Sequence, residues 1–130
     1  MKKLLLGIFT CLCALIMVSC SSNTPTGKTK TYLEARKDGN YTEVVEHFHF
    51  KKAKTDQEKA EIAQMLEEKV EKSLEKKGAM ESYEITSETI SEDGTNAKVE
   101  CLIKYAGGEV EKETVNLVSI DGKWLVDSGK

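Results

Sequence analysis

The stretch TDQEKAEIAQMLEEKVEKSLEKKG, residues 55–78, decides the main element of the fold. It opens with Thr55 and has Glu58 three residues later, a capping box that satisfies the first free amide groups of a helix. Apolar residues then recur at intervals of three and four along one face, and Gly78 supplies a stop. The sequence therefore predicts a long helix over residues 56–77. Its apolar stripe consists of Ile62, Ala63, Leu66, Val70 and Leu74.

Two shorter helices are predicted ahead of the long one. Residues 32–37 carry apolar positions at helical spacing and run into Gly39, a residue that commonly ends a helix. Asn40 stands three residues before Glu43, which is a helix start of the capping-box kind. The apolar residues that follow recur at i, i+3, i+4 and i+7. A second helix is therefore predicted from Tyr41 to Phe48.

From Met80 onward the pattern is that of strands. Three turn signals divide this part of the chain at regular spacing, with β-branched residues between them: Asp93-Gly94, Gly107-Gly108 and Asp121-Gly122. Four strands in an antiparallel meander are therefore predicted. Pairing Ile120 with Lys123 across the last turn sets Leu117 opposite Val126. In this register one sheet face is the expected core and carries Tyr83, Ile85, Val99, Cys101, Ile103, Tyr105, Val115 and Leu117.

The opposite face of the predicted sheet is mixed in character. Its charged residues are Lys98, Glu100, Lys104 and Lys123, as expected for a solvated face. Val118, Ile120 and Leu125 share that face and are apolar. They indicate either a surface that meets a partner protein or a second copy, or a local cover by the N-terminal segment.

The N-terminal residues predict export and lipid attachment. A short basic region is followed by fifteen mainly apolar residues, Leu4 to Val18, which is typical of a secretory signal peptide. As a helix this stretch would rise only roughly 22 Å, short of the ~30 Å hydrocarbon core of a bilayer. Met17-Val18-Ser19-Cys20 resembles the bacterial lipobox. The resemblance implies cleavage between Ser19 and Cys20, with acyl chains on the sulfur and the new amino group of Cys20.

The alternative for Cys20 is a disulfide with Cys101. The other two cysteines, Cys11 and Cys13, lie within the segment that processing would remove, and Cys20 lies at the cleavage point. We therefore favour lipid attachment, which leaves Cys101 as the one thiol of the processed chain.

The predicted organisation has three parts. Residues 1–19 are a lipoprotein signal peptide, residues 20–30 are the lipidated cysteine and a flexible tether, and residues 31–130 are one α+β domain. The tether is predicted because residues 21–30 contain no large apolar side chain and include the single proline. Ser21 and Ser22 follow Cys20 with no acidic residue nearby, a pattern that resembles lipoproteins passed to the outer membrane. The expected location is the cell envelope, anchored by lipid and facing the periplasm.

Composition excludes several classes of function. The chain has 130 residues, 39% of them hydrophobic and 32% charged, so it is neither of low complexity nor a protein with many membrane spans. Its formal net charge is −3, and removing the basic N-terminus would make it more negative. Nucleic acid is therefore disfavoured as a partner.

The order of elements resembles the nuclear transport factor 2-like superfamily, also called cystatin-like. The early helix pair, Tyr-Leu-Glu-Ala-Arg-Lys-Asp-Gly-Asn-Tyr-Thr-Glu-Val-Val from residue 32, and the terminal Asp121-Gly122-Lys123-Trp124 carry the resemblance. Within the superfamily the chain is similar to a domain-of-unknown-function family of small bacterial lipoproteins. The resemblance covers residues 31–130 and implies a curved sheet wrapped around the long helix. The cone between them is a ligand pocket in enzymatic relatives and is closed in many others.

The sequence offers little for catalysis or metal binding. The aspartates lie beside turn glycines, in the first turn of the long helix or near the chain end, where structural roles explain them. His47 and His49 have a spacing that points them apart at a helix end, and no neighbouring ligands complete a zinc site. Cys101 has the parity of a buried residue. We expect no catalytic residue, no metal and no cofactor, and hence no enzyme.

Three functions follow, in order of preference. The first is a non-catalytic, lipid-anchored envelope module that binds a protein partner or itself through Val118, Ile120 and Leu125. The second is a binding protein for a small apolar or amphipathic ligand in the cone. The third, least favoured, is an enzyme with His47 or His49 as base. The aromatic set expected to line or fill the cone, together with the lone thiol, is Tyr32, Phe48, Tyr83, Cys101, Tyr105 and Trp124.

Overall fold

The computed structural model describes residues 23–129, and the predicted signal peptide, lipobox and Cys20 lie outside them. The described part of the chain has three helices: α1 (Pro25–Lys37), α2 (Tyr41–Glu46) and α3 (Asp56–Lys77). It has five strands: β1 (Phe48–His49), β2 (Met80–Ile90), β3 (Asn96–Tyr105), β4 (Val110–Ile120) and β5 (Lys123–Asp127). None of the three described helices combines the length and the hydropathy that a membrane span requires.

The prediction of α3 is confirmed at both ends. The Thr55 hydroxyl accepts a hydrogen bond from the Glu58 amide at 3.1 Å, and the Glu58 carboxylate accepts one from the Thr55 amide at 3.0 Å. At the other end, the Gly78 amide donates to the Leu74 carbonyl with φ at +82°. A side chain rarely adopts this φ, which explains why glycine ends the helix.

Replacing Thr55 with alanine is expected to lower the free energy of unfolding by about 1 kcal/mol, because the Glu58 amide loses its acceptor. The measurement is a urea unfolding curve followed by circular dichroism at 222 nm. Thr55→Ser keeps the hydroxyl and serves as the control, so an equal loss in both variants would contradict the capping role.

The sheet differs from the predicted four-stranded meander. Its strand order is β1-β5-β4-β3-β2, and the added strand β1 runs parallel to β5, with Phe48 opposite Val126. The prediction that the second helix continues to Phe48 is also wrong, because α2 ends at Glu46. The physical reason is that the carbonyls of His47 and His49 accept hydrogen bonds from the amides of Val126 and Ser128. This long-range pairing overrides the local helical spacing.

The first helix begins earlier than expected. α1 starts at Pro25, and the Thr24 hydroxyl caps it by accepting a hydrogen bond from the Gly27 amide at 2.9 Å. Proline is favoured at the first position of a helix because its missing N–H is not needed there. The predictions of a flexible tether up to residue 30 and of a domain that begins at residue 31 are corrected accordingly.

The predicted register and core face of the sheet are confirmed. Leu117 pairs with Val126 and Ile120 with Lys123, as the turn at Asp121-Gly122 requires. α1 packs across this face and buries Leu33 completely, whereas α3 packs mainly on α2. The buried residues of the sheet are Met80, Ala97, Val99, Cys101, Ile103, Tyr105, Val115, Leu117 and Val126, while Tyr83 and Ile85 pack against them half-buried.

Candidate functional site

A cleft lies between the first half of α3 and the sheet. Its volume is about 340 Å³, within the range of small-molecule sites in proteins. Its walls are mainly apolar and aromatic, and its polar groups lie along the strands. The lining residues on the helical side are Tyr32, Phe48, Phe50, Ile62, Met65, Leu66 and Lys69, and those on the sheet side are Glu113, Thr114, Val115, Asn116, Val126, Asp127 and Ser128.

The cleft exists because the first half of α3 does not close onto the sheet. The spacing of the α3 stripe turns Ile62, Leu66, Val70 and Leu74 to one face, yet all four remain only half-buried. Ala63, on the side toward α2, is the one residue of α3 that is buried. Met65 is 55% exposed at the cleft. Ile62, Met65 and Leu66 thus line the cleft, whereas Leu74 packs against the core cluster that contains Leu33.

Three aromatic rings form one wall of the cleft. Phe48 lies between Tyr32 and Phe50, with ring centroids 5.9 Å and 6.0 Å away. The pair formed by Phe48 and Phe50 meets edge to face, a favoured arrangement for aromatic rings. Burial raises the pKa of the Tyr32 hydroxyl, so this group stays neutral and contributes an uncharged donor to the wall.

A charged pair lies at the inner side of the cleft. Arg36 Nη1 donates to Glu113 Oε1 at 2.9 Å, and the guanidinium carbon lies 5.5 Å from the centre of the Tyr32 ring. The Arg36 side chain is 16% exposed. Beyond the pair is a second cavity of about 160 Å³, which Glu113 also lines. The pair therefore lies between two adjoining spaces, with one charge compensating the other.

The structure distributes the predicted lining residues over different places. Tyr32 and Phe48 line the cleft, and Tyr105 lines the second cavity. Trp124 lines neither of these cavities and packs, as Tyr32 and Phe48 also do, against the core cluster that contains Leu117. Tyr83 donates to Glu34 Oε1 at 2.9 Å, and burial together with that bond raises the pKa of Tyr83 to about 12.

Cys101 is fully buried in the sheet. Its Sγ lies 3.5 Å from the Glu113 carbonyl, and burial raises the pKa of the thiol. A thiol in this environment stays protonated and inert at neutral pH.

Sequence reasoning missed Phe50, Arg36 and Glu113 as parts of the site, and it assigned Ile62 and Leu66 to an ordinary core stripe. The sequence held one signal for Glu113, because it alternates along β4 in step with Val115 and Leu117 and so falls on the core face of the sheet. A carboxylate on a core-facing position requires a partner, and Arg36 is that partner.

The two histidines lie outside the cleft. His47 Nδ1 is 3.2 Å from Lys28 Nζ, and its Nε2 is buried with no hydrogen-bond partner among the described residues. His49 lies in β1 at the edge of the sheet, where its backbone is opposite Asp127 of β5. Within residues 23–129, no three side chains of His, Cys, Asp or Glu come together as a metal-binding group.

Lowering the pH from 7.5 to 5.5 is expected to destabilise the protein through His47. Burial and the neighbouring Lys28 lower the pKa of His47, whereas Glu43 and Glu46 oppose that effect. The unfolded state therefore takes up the proton more readily. The stability that comes from keeping His47 neutral is complete above the pKa of the unfolded state, about 6.5, and is lost as the pH falls through the lower pKa of the folded state.

The measurement of this pH effect is the urea midpoint at both pH values. His47→Gln should remove part of the difference between them, and His49→Gln, two residues away, should retain it. If both variants kept the full difference, the dependence would come from other groups.

The predicted interaction residues lie next to one another on the outer face of the sheet. Val118 pairs with Leu125, and Ile120 follows Val118 on the same face of β4. All three are half-buried. No helix of the described residues packs over them, since the helices lie against the other face or against each other.

Fold and cleft together describe an α+β protein with a mainly apolar cleft between its long helix and a five-stranded mixed sheet. The chain belongs to the family described as domain of unknown function (DUF4878), which matches residues 18–127. No curated protein matches it. A solved structure from Campylobacter jejuni is similar, with a TM-score of 0.62 and 22% sequence identity over 80% of this chain and 97% of that one. The assignment of that protein as an NTF2-like transpeptidase is provisional. At this identity the likeness shows the NTF2-like fold alone.

Proposed function

We propose that the protein is a non-enzymatic binding protein that holds an apolar or amphipathic ligand in the cleft between α3 and the sheet. The observation that carries the proposal is the apolar stripe on the first half of α3, where Ile62, Met65 and Leu66 line a cavity of about 340 Å³. Leaving such a stripe open forgoes roughly 25 cal/mol of stabilisation per Å² of apolar surface. A ligand that covers the stripe recovers that free energy on binding.

The chemistry of the cleft supports binding without catalysis. Of its two carboxylates, Glu113 is held by Arg36, and Asp127 accepts a hydrogen bond from the Gly129 amide at 2.9 Å. The lining residues include neither a thiol nor an imidazole, and the buried Cys101 lies outside them. The provisional transpeptidase assignment belongs to a protein only 22% identical. We therefore propose no transfer reaction for this chain.

The test uses N-phenyl-1-naphthylamine, an uncharged fluorophore that brightens in apolar surroundings. The chain from Ser21 onward contains every described residue and is expected to bind it. Leu66→Trp should weaken binding at least tenfold because the larger ring fills the cleft. Glu68→Trp places the same ring on an exposed part of α3 and should bind as the parent chain does. No binding, or equal binding by both variants, would overturn the proposal.

A second candidate function is association through the outer face of the sheet. The observation favouring it is the contiguous patch of Val118, Ile120 and Leu125. Sedimentation velocity measures the mass in solution. If the patch mediates a dimer, Val118→Lys and Leu125→Glu should each yield monomer with unchanged circular dichroism. Lys98→Glu, on the same face, should leave the dimer intact, and a monomeric parent chain would exclude self-association.

We also propose that the chain is anchored in the cell envelope by a lipid on Cys20. The support is the lipobox resemblance of residues 17–20 and the apolar stretch before it. Several acyl chains on one residue suffice for stable anchoring. Cys20→Ser is expected to move the protein from the membrane fraction to the soluble fraction or to block its processing. Mass spectrometry of the N-terminal peptide identifies the lipid, and an unmodified Cys20 would contradict the proposal.

A further inference from the structure

The fourth strand of the sheet is longer than the strand that pairs with its outer edge. β4 pairs with β3 along nearly its whole length, from Val110 to Val118. It pairs with β5 only from Leu117 to Ile120. Among the described residues, the 110–116 part of β4 therefore has a strand on one side and none on the other.

The main-chain groups along this free edge face away from β3. The Tyr105 amide donates to the Glu109 carbonyl, and the Ser119 amide donates to the Thr95 carbonyl. In an antiparallel pair such bonds fall on every second residue, so the odd-numbered residues of β4 bond to β3. The even-numbered residues, Lys112 and Thr114 among them, direct their N–H and C=O groups to the other side. Within residues 23–129, no hydrogen bond satisfies those groups of Lys112 or Thr114.

α3 runs beside the free edge and forms the second wall of a groove. Near Glu113–Asn116 the opposite wall is the 62–69 part of α3, across the larger cavity. Further along, Lys77 Nζ lies 2.6 Å from Glu111 Oε2, beside the smaller cavity. Glu113 lines both cavities, so they adjoin along the strand edge. One side of the groove thus offers unpaired backbone groups, and the other offers an apolar helix face.

We propose that this groove binds an extended peptide segment of another protein, which joins the sheet as an additional strand along residues 110–116 of β4. The inference rests on the proposed ligand-binding function and names its ligand class. Seven residues of strand span roughly 23 Å, enough for a peptide of about six residues. Addition of a peptide strand to a sheet edge is an established mode of recognition.

Chemistry favours a peptide over a lipid tail in this groove. An acyl chain would cover the apolar residues of α3 but leave the backbone groups of Lys112 and Thr114 with only water as partner. A peptide backbone supplies the alternating donors and acceptors that this edge requires. Every second side chain of the peptide points under α3, where Phe48, Phe50 and Leu66 accept an apolar group. The bound sequence should therefore alternate apolar and polar residues.

The chain's own last described residues do not continue along β4. The Ser128 amide and hydroxyl both donate to the His49 carbonyl, at 3.3 Å and 2.7 Å, which ties the chain to β1.

The test selects nine-residue peptides from a random phage-displayed library on the chain from Ser21 to Lys130. Synthetic peptides are then methylated at one backbone nitrogen at a time. A strand-like mode predicts a period of two, with a loss of at least tenfold in affinity at alternate positions and little change between them. Uniform sensitivity or none would overturn the inference.

The matched protein variants are Thr114→Pro and Thr114→Ala. Proline removes the N–H that faces the groove and leaves the pairing with β3 in place, as is tolerated on edge strands. Thr114→Pro should lower the affinity for the peptide at least tenfold, while the affinity of Thr114→Ala should stay within about threefold of that of the parent chain. Equal affinities would overturn the proposed strand addition. Circular dichroism and the thermal midpoint show whether Thr114→Pro is folded. If it is not, Lys112→Pro against Lys112→Ala makes the same comparison.

Binding of N-phenyl-1-naphthylamine separates the two proposals. If the fluorophore binds in the cleft but no peptide is selected, the further inference fails and the proposed function stands. If neither the fluorophore nor any peptide binds, both the proposed function and the further inference fail. If peptides bind only after residues 128–130 are deleted, the occupant is the chain's own end. If the chain forms a dimer that Thr114→Pro dissociates, the groove is occupied by a second copy of this chain. Either of these two results would overturn the proposal that a different protein supplies the strand.

Discussion

Replacing Leu33 with alanine is expected to lower the free energy of unfolding by about 3–4 kcal/mol, which is a large part of the stability of a domain of this size. Leu33 is 0% exposed and belongs to one cluster with Cys101, Ile103 and Tyr105. It is the residue through which α1 packs on the core face of the sheet, where α3 contributes only the half-buried Leu74. The measurement is urea unfolding at pH 7.5, with the slope of the unfolding curve unchanged.

Met65→Ala is the matched control for this substitution. Met65 is a large apolar residue on the longest helix, but 55% of it is exposed at the cleft. We expect a change within about 0.5 kcal/mol, as for other surface sites. Comparable losses for the two variants would mean that α3, and not α1, supports the sheet.

Replacing Glu113 with alanine is expected to lower the free energy of unfolding by about 2–3 kcal/mol, because Arg36 would then be a largely buried charge with no carboxylate beside it. The Glu113 carboxylate is itself about one-third exposed, so we place the cost below that of a fully buried pair. The measurement is again the urea midpoint, together with the thermal midpoint. The double variant Arg36→Met/Glu113→Leu removes both charges and should recover most of the loss.

The exposed pair of Lys112 and Glu100 is the control for this effect. The two groups are 3.6 Å apart, and the Lys112 side chain is 65% exposed. Lys112→Ala should change the stability by less than about 1 kcal/mol, as for surface ion pairs. A double variant less stable than Glu113→Ala would show that the pair contributes more than charge compensation.

The sequence predicted correctly those elements whose hydrogen bonds join residues close together in the chain. α3 was predictable because Thr55 and Glu58 satisfy each other within one turn, and Gly78 supplies the backbone conformation that ends the helix. The pairing of β4 with β5 was predictable for a similar reason. Asp121 and Gly122 have φ of +52° and +80°, which is the two-residue turn that fixes the register.

Elements formed by distant partners could not be predicted in the same way. β1 has two residues and exists because it meets β5, almost eighty positions later in the chain. The cleft poses a different difficulty. The spacing of Ile62 and Leu66 predicts that they share one face of α3, but it does not predict whether the sheet contacts that face. In the folded protein the first half of α3 stands away from the sheet, and the spacing of its apolar residues does not reveal this.

The early start of α1 has a consequence for how an anchored domain would be oriented. Pro25 is five positions after Cys20, so a lipid on Cys20 would hold the start of α1 within roughly 17 Å of the headgroups. That end of α1 lies beside Glu88, to which the Thr26 hydroxyl donates at 2.8 Å. It therefore adjoins the sheet end formed by the 91–95 and 121–122 turns. The unpaired part of β4 leads to the opposite end of the sheet, away from the point at which such an anchor would be attached.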